Sequence, residues 1–513
     1  MKKLSFLTGV IALLLVVQGC YKDKGNYDYT ALDEVRIDTA EAGILPAYAV
    51  YRYDTLRIEP KVFLNGSLVA SEAQVSDKLS FTWSIFQATV GGPIQSRDTL
   101  SNTIRLKAPI TKPAGKWIVH LAVKDLVTQV ETYQRFNLDV SEVLSDGWMV
   151  LYEREGNTDV GLIVDDRTKT GVVTPRLFLD LIRSGNEAPL EGKPVAMLHS
   201  AAPLSSAQVL VASEKDMVGV ERSSFQATFK FNDLFWSAPA ERNVGFVGGT
   251  LVRKEMAIVN NRVHVVNFAS SGLFRTNKLG VELNGEYGEL EKWSTVCYGA
   301  AYDAVLYDKT NKKFKYVPSN GTAVMDFPTQ LPTTGFNVGN VGLDLKASDW
   351  GLTNYEYSMM SDNAGTYLMV SNFMGVNTNV GLRKIDMSTS PGVNNVTTLS
   401  AAATGQFVLY GSGSNVYIFK YNTNLPAEMA WTAPAGEQVT CVRLQKFYFP
   451  SIQASLLPLP HQVVYIATWN ETAKQGKVYS FRIDPSSGAI NTATERVTEG
   501  YGKVKDMSYK WNL

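Results

Sequence analysis

Over much of the chain, apolar and polar residues alternate with a period of two, the spacing that sends successive side chains to opposite faces of a strand. Leu79-Ser80-Phe81-Thr82-Trp83-Ser84-Ile85 is a clear instance and puts Phe81, Trp83 and Ile85 on one face. After the turn Pro113-Ala114-Gly115, Trp117, Val119, Leu121 and Val123 share a face up to Asp125, and Phe136-Asn137-Leu138-Asp139-Val140 supplies another strand. Turn signals separate such runs at the interval of a sandwich, roughly 8 to 12 residues, so residues 34–141 are expected to form one. Trp83 then belongs between the two sheets, as a core side chain.

Beyond Ser141 a different unit recurs: an apolar strand, a polar or Gly/Asn turn, and a second apolar strand. Its instances are Trp148 to Val164, Val209 to Val220, Met256 to Phe268, Val305 to Val317, Tyr367 to Ile385, Phe407 to Tyr421 and Val463 to Ile483. Taking Met149, Leu210, Ala257, Val305, Leu368, Val408 and Val464 as markers, the mean spacing is about 52 residues, near the length of a four-stranded blade. Residues 142–513 are therefore expected to form a β-propeller of seven blades, in an all-β protein. A six-bladed ring with one hairpin outside it, or two further sandwiches, are the alternatives; the regular hairpin recurrence disfavours the sandwiches.

The first 19 residues follow another pattern. Lys2 and Lys3 precede an apolar run from Leu4 to Val17, the layout of a secretory signal peptide. As a helix that run reaches only about 21 Å, short of the roughly 30 Å hydrocarbon core of a bilayer. Val17, Gly19 and Cys20 resemble the lipobox of bacterial lipoproteins, whose Cys is acylated and becomes the new N-terminus; Gln18 is a less usual residue at its place. The resemblance implies lipidation at Cys20, an anchor whose hold grows by about 0.8 kcal/mol per buried methylene. Residues 20–33 then form a tether, and the Lys and Asp that follow Cys20 resemble the signal by which Bacteroidetes carry lipoproteins to the outer face of the outer membrane.

Composition narrows the function. Lys plus Arg and Asp plus Glu number 49 each, and no basic run is long enough to follow a phosphate backbone, so nucleic acid is excluded as a partner. Loss of the leader removes Lys2 and Lys3 and leaves 47 basic side chains against 49 acidic. Membrane association then falls to the lipid alone. Cys297 and Cys441 lie in strand-like apolar contexts and read as buried thiols, with their pairing open in an exported chain.

Four histidines, His120, His199, His264 and His461, offer little acid–base or metal chemistry, and each sits in a structural context. No metallopeptidase, nucleophile-elbow, phosphate-loop or calcium-loop spacing occurs, so neither a metal nor a cofactor is expected. Asp165, Asp166, Asp233 and Asp349 are the carboxylates on which a glycan-cleaving reaction would draw. Loop-like aromatics point instead to binding: Trp236, Trp293, Trp350, Tyr355, Tyr357, Trp431 and Trp469, whose faces can stack on sugars or peptides. Propellers gather such loops at the two ends of a central channel.

The 34–141 segment is similar to PKD domains of the immunoglobulin type in its aromatic-x-Trp strand and its Pro-Gly turn leading to a strand that ends in Asp. It departs from them at Phe86-Gln87-Ala88-Thr89, where the family has Gly-Asp-Gly. Leader, lipobox, tether and this domain together resemble the PKD-like lipoproteins of Bacteroidetes. That resemblance implies an accessory surface lipoprotein, lipid-anchored in the outer membrane, that handles oligopeptides or oligosaccharides beside a SusC-like TonB-dependent porin and a SusD-like lipoprotein. A lipid-anchored glycan hydrolase or lyase and a structural spacer are the other readings. The triplets Asp38-Thr39-Ala40, Asp54-Thr55-Leu56 and Asp98-Thr99-Leu100 look like the O-glycosylation sequence of exported Bacteroidetes proteins, at Thr39, Thr55 and Thr99. Replacing Cys20 by Ala should move the protein from the membrane pellet to the soluble fraction and abolish metabolic labelling with a fatty acid; label retained by C20A contradicts the anchor.

Overall fold

The computed structural model describes residues 33–510 apart from 41–42, 53, 89–95, 143, 145, 173, 200–207, 250–254, 267–277, 292–301, 320, 329–334, 375–379 and 447–456. The leader, Cys20, Trp293 and Cys297 lie outside the described residues. The chain divides into two compact units, Met1–Val140 and Ser141–Leu513.

In the first unit, Leu79–Gln87 and Glu131–Ser141 flank Gly115–Asp125 in a five-stranded antiparallel sheet, completed by Ala47–Tyr51 and Asp98–Ser101. Smaller sheets built from Val35–Asp38, Lys61–Leu64 and Ser67–Leu68, and from Thr55–Ile58 with Leu106–Pro109, complete the strand set. Alternation works as the sequence requires: Phe81, Trp83 and Ile85 are all buried, in one core with Leu56, Ile58 and Leu106 from the smaller sheets. Trp83 stacks on Phe136 at 5.9 Å and donates its indole N–H to the Thr103 carbonyl at 2.9 Å, so its polar edge is satisfied. The Asp125 carboxylate accepts the backbone N–H groups of Val127 and Thr128 and thereby turns the chain into the next strand.

In the second unit, seven antiparallel sheets follow one another among the described residues. We call them blades: 147–178 (blade 1), 194–229 (blade 2), 244–265 (blade 3), 302–326 (blade 4), 344–386 (blade 5), 396–432 (blade 6) and 437–501 (blade 7). The last strand, Lys503–Lys510, returns to pair with Gly147–Arg154, so blade 1 is built from both ends of the unit. That strand also lies against Pro194–His199 of blade 2 and Glu437–Leu444 of blade 7, which places it innermost and closes the ring. The unit is a β-propeller.

The middle strands of a blade have a neighbouring blade on each face, and so lose the polar alternation of a half-exposed strand. All five residues of Glu255–Val259 and all six of Phe407–Ser412 are buried. Aromatic pairs join successive blades: Phe314 with Phe373 between blades 4 and 5 at 5.2 Å, Tyr357 with Tyr421 between 5 and 6 at 5.2 Å, and Trp431 with Tyr479 between 6 and 7 at 5.0 Å. At the seam between blades 7 and 1, Trp148 stacks on Tyr465 at 4.1 Å.

The hairpins read from sequence are the second and third strands of their blades in blades 1, 2, 3, 6 and 7, and in blade 4 the first two described strands. In blade 5 the Tyr367 to Ile385 hairpin falls on the third and fourth strands, because the second, Glu356–Ser361, carries three polar residues among its six. That one-strand slip produces the widest and narrowest intervals among the sequence markers. Trp148→Ala at the seam should cost about 3–5 kcal/mol and lower the melting transition of the propeller while leaving that of the sandwich in place, as read by calorimetry.

Candidate binding mouth of the propeller

The inner strands of blades 5, 6 and 7 run side by side in the same direction, so their C-terminal ends meet at one mouth of the channel. The Ala401 N–H donates to Asp349 Oδ2 at 2.9 Å, and the Leu444 N–H to Ser400 Oγ at 3.0 Å. Into this junction projects Lys446. Its ammonium donates to Asp349 Oδ2, to the Trp350 carbonyl and to the Ala401 carbonyl at 2.8 Å, which uses all three of its N–H bonds. The same ammonium lies 4.5 Å from the centre of the Trp350 ring. Burial pushes the Lys446 pKa down, and Asp349 opposes that push. Three residues before Lys446, on the inner strand Glu437–Leu444 of blade 7, Arg443 donates to Asp506 Oδ1 at 2.8 Å and to the Leu399 carbonyl at 3.1 Å, tying blade 7 to blades 1 and 6.

The loop that follows Trp350 is held in a costly conformation. Thr353 (φ 62°) and Asn354 (φ 60°) are consecutive left-handed residues, and the first is β-branched. Gly351 starts the loop because a Cβ there would lie 2.8 Å from the Ala401 Cβ, the Ala402 carbonyl oxygen and the Tyr357 ring. Strain of this kind persists only where the surroundings over-determine it, and it gathers at binding and switch sites. Here the Lys446 pin supplies the determination, and the loop presents half-buried Trp350 and Tyr355 at the rim.

The remaining sequence-predicted aromatics do not join them. Tyr357 is 3% exposed and bonded through its hydroxyl to Tyr421, and Trp431 is packed against Tyr479 and Phe481. Both serve blade packing, since apolar rings between blades have no face left for a ligand. Trp469 pairs with Gln438 near the start of blade 7's inner strand, at the opposite end of that blade from Lys446, and donates to Glu471 at 2.6 Å. Trp236 is 65% exposed after the turn Phe231–Leu234, between blades 2 and 3. Thr55 and Thr99 are exposed and Thr39 is half-buried.

The carboxylates singled out for catalysis all have structural partners. Asp165 accepts the N–H groups of Arg167 and Thr168; Asp166 is held by Arg496, whose guanidinium lowers its pKa; Asp233 accepts the Lys230 N–H at 3.2 Å; Asp349 is the Lys446 partner. Burial lowers the pKa of all four histidines, most strongly at His199. Cys441 is a free, buried thiol pushed up to about 12 by desolvation, which makes it unreactive. Among the described residues no group of three or more His, Cys, Asp and Glu is placed to hold a metal ion, and no helix is long and apolar enough to cross a membrane. Clefts among the described residues include one of about 570 Å³ around Ile182, Asp216 and Arg242 and one of about 380 Å³ around Ile163, Arg176 and Arg496.

Residues 20–194 match the PKD-like family. The PKD-like match thus covers the sandwich and the first blade, about a third of the chain. No curated protein sequence matches the chain. Among solved structures, a quinonprotein alcohol dehydrogenase-like protein from Bacteroides thetaiotaomicron is similar over 94% of this chain and 100% of its own, at 12% identity and a TM-score of 0.44. Dihydro-heme d1 dehydrogenase NirN in complex with DHE is similar over 76% of this chain and 72% of its own, at 10% identity and a TM-score of 0.40. YCF48 from Cyanidioschyzon merolae is similar over 62% of this chain and 98% of its own, at 9% identity and a TM-score of 0.35.

The Lys446–Asp349 pair lay beyond sequence reasoning, because a lysine at a strand end reads as solvated until its three acceptors are assembled from blades 5 and 6. Asp349→Asn alone strands a buried ammonium and should destabilise the propeller by about 3–5 kcal/mol. The double change with Lys446→Met should cost less than Asp349→Asn alone; equal or additive losses in denaturant titrations contradict the pin.

Proposed function

We propose that this protein is a non-catalytic, lipid-anchored accessory subunit at the outer face of the outer membrane, which captures oligopeptides or oligosaccharides for a SusC-like TonB-dependent porin and its SusD-like partner. The observation that carries the binding role is the strained Gly351–Tyr355 loop, which offers Trp350 and Tyr355 at the channel mouth while Lys446 fixes its base. Two rings held on a rigid rim bind with little loss of side-chain freedom, the cost that weakens flexible sites. The leader, Cys20 and the PKD-like match support the surface placement and the accessory role. The structural engagement of Asp165, Asp166, Asp233 and Asp349 supports binding over hydrolysis.

Native purification from membranes, with mass spectrometry of partner proteins and retained small molecules, tests the reading directly. A porin of the TonB-dependent type and a retained peptide or glycan are expected. Neither one appearing, or release of product from a polysaccharide by the purified chain, overturns it. Trp350→Ala with Tyr355→Ala should cut ligand retention by roughly ten-fold, since stacking on each ring is worth about 0.5–1.5 kcal/mol, while leaving the porin association unchanged.

A further inference from the structure

At the same mouth, between blades 1 and 2, three basic side chains converge on too little negative charge. Lys510 ends the closing strand and is fully buried; its ammonium donates to the Leu144 carbonyl and, at 2.8 Å, to the Arg222 carbonyl, with the Phe225 ring centre 5.4 Å away. The guanidinium of Arg222 acts electrostatically on Lys510 and, with it, on His199 at the end of blade 2's inner strand. Arg222 Nη1 is buried and has no hydrogen-bond partner among the described residues.

Among the described residues, the charged groups facing Lys510 are Asp146, just before blade 1, Lys169 from blade 1, and Glu221 and Arg222 from blade 2. Both acids favour the Lys510 ammonium, but both are shared with other donors. Asp146 is paired with Lys169 at 3.0 Å, and Lys169 also donates to Ser141 Oγ at 2.5 Å. Glu221 accepts the N–H groups of Ser223 and Ser224 and the Ser223 hydroxyl. His199, fully buried beside two cations, stays neutral. Among the described residues, three cationic side chains against two acidic ones leave a single positive charge in a desolvated setting, together with a buried N–H that no described group accepts. Each carries a cost of several kcal/mol, or about 1–3 kcal/mol for the unsatisfied donor, unless an anion arrives.

We propose that this corner of the mouth receives one carboxylate of the ligand, with Arg222 Nη1 donating to it and Lys510 neutralising it. The inference rests on the binding role above and gives it a chemistry: an acidic peptide end or a uronic acid. A monoanion fits the one uncompensated charge, whereas a phosphate dianion would leave a buried negative charge in exchange for a positive one. The site also predicts its own pH profile. Burial brings Lys510 down to about 7, so its ammonium is present below neutrality and lost as pH rises. Carboxylate affinity therefore falls on going from pH 6 to pH 8.5.

Titration calorimetry of the full chain with galacturonate against galactose, and with trialanine against its C-terminal amide, separates the two carboxylate sources. At pH 6 the acid member of at least one pair should bind roughly ten-fold or more tightly than its neutral counterpart, as expected for a charge-assisted hydrogen bond. Arg222→Gln should erase that preference, and Lys510→Met should flatten its pH dependence. Equal binding of acid and neutral forms, or a wild-type affinity unchanged between pH 6 and 8.5, overturns the carboxylate site, and neither result depends on a variant that folds. Should R222Q retain the natively purified ligand as well as wild type while the Trp350/Tyr355 variant loses it, the carboxylate site falls and the binding role stands.

Discussion

Face-to-face packing of one blade on the next is the interaction on which the rest of this molecule depends. No blade can bury both its faces alone, and a ring of them has a seam that only the two ends of the unit can close. Here the closing strand Lys503–Lys510 pairs with Gly147–Arg154 while it touches the inner strands on either side. The stacked Trp148 and Tyr465 fill the same seam from within. Everything the mouth presents is positioned by that closure, because the inner strands reach it only as members of a closed ring.

Closure also explains where the buried charges sit. Inner strands ending together bring main-chain carbonyls into a desolvated rim, and carbonyls there need donors. Lys446 serves the rim at blades 5 and 6 and has Asp349 as its ion-pair partner; Lys510 serves the rim at blades 1 and 2 and faces acids that Lys169 and the Glu221 turn already engage. The difference between these two lysines separates a balanced structural pin from a corner that carries surplus positive charge. Both are made by the fold, and neither sits in a recognisable motif.

Much of the architecture was legible in the sequence because its causes are local. Period-two alternation fixed the faces of Leu79–Gln87, and continuous apolar runs such as Phe407-Val408-Leu409-Tyr410 marked strands covered on both sides. Glu356–Ser361 shows where locality fails: Glu356 and Ser358 are buried among other blades, so its pattern looked too polar for a middle strand. The candidate site was less legible. Trp350 and Tyr355 were recognisable as loop aromatics, yet so were Tyr357 and Trp431, and only the neighbouring blades decide that the latter two are enclosed. Arg222 and Lys510 are about 290 residues apart in sequence and meet only through ring closure.

Hydrogen exchange measured on the full-length protein, with and without the ligand it carries from the membrane, tests the central claim most directly. The account predicts that protection on binding concentrates in residues 350–355 and extends to the segment around Arg222. Protection confined to the PKD-like sandwich, or to the end of the propeller that carries Trp469, would contradict it.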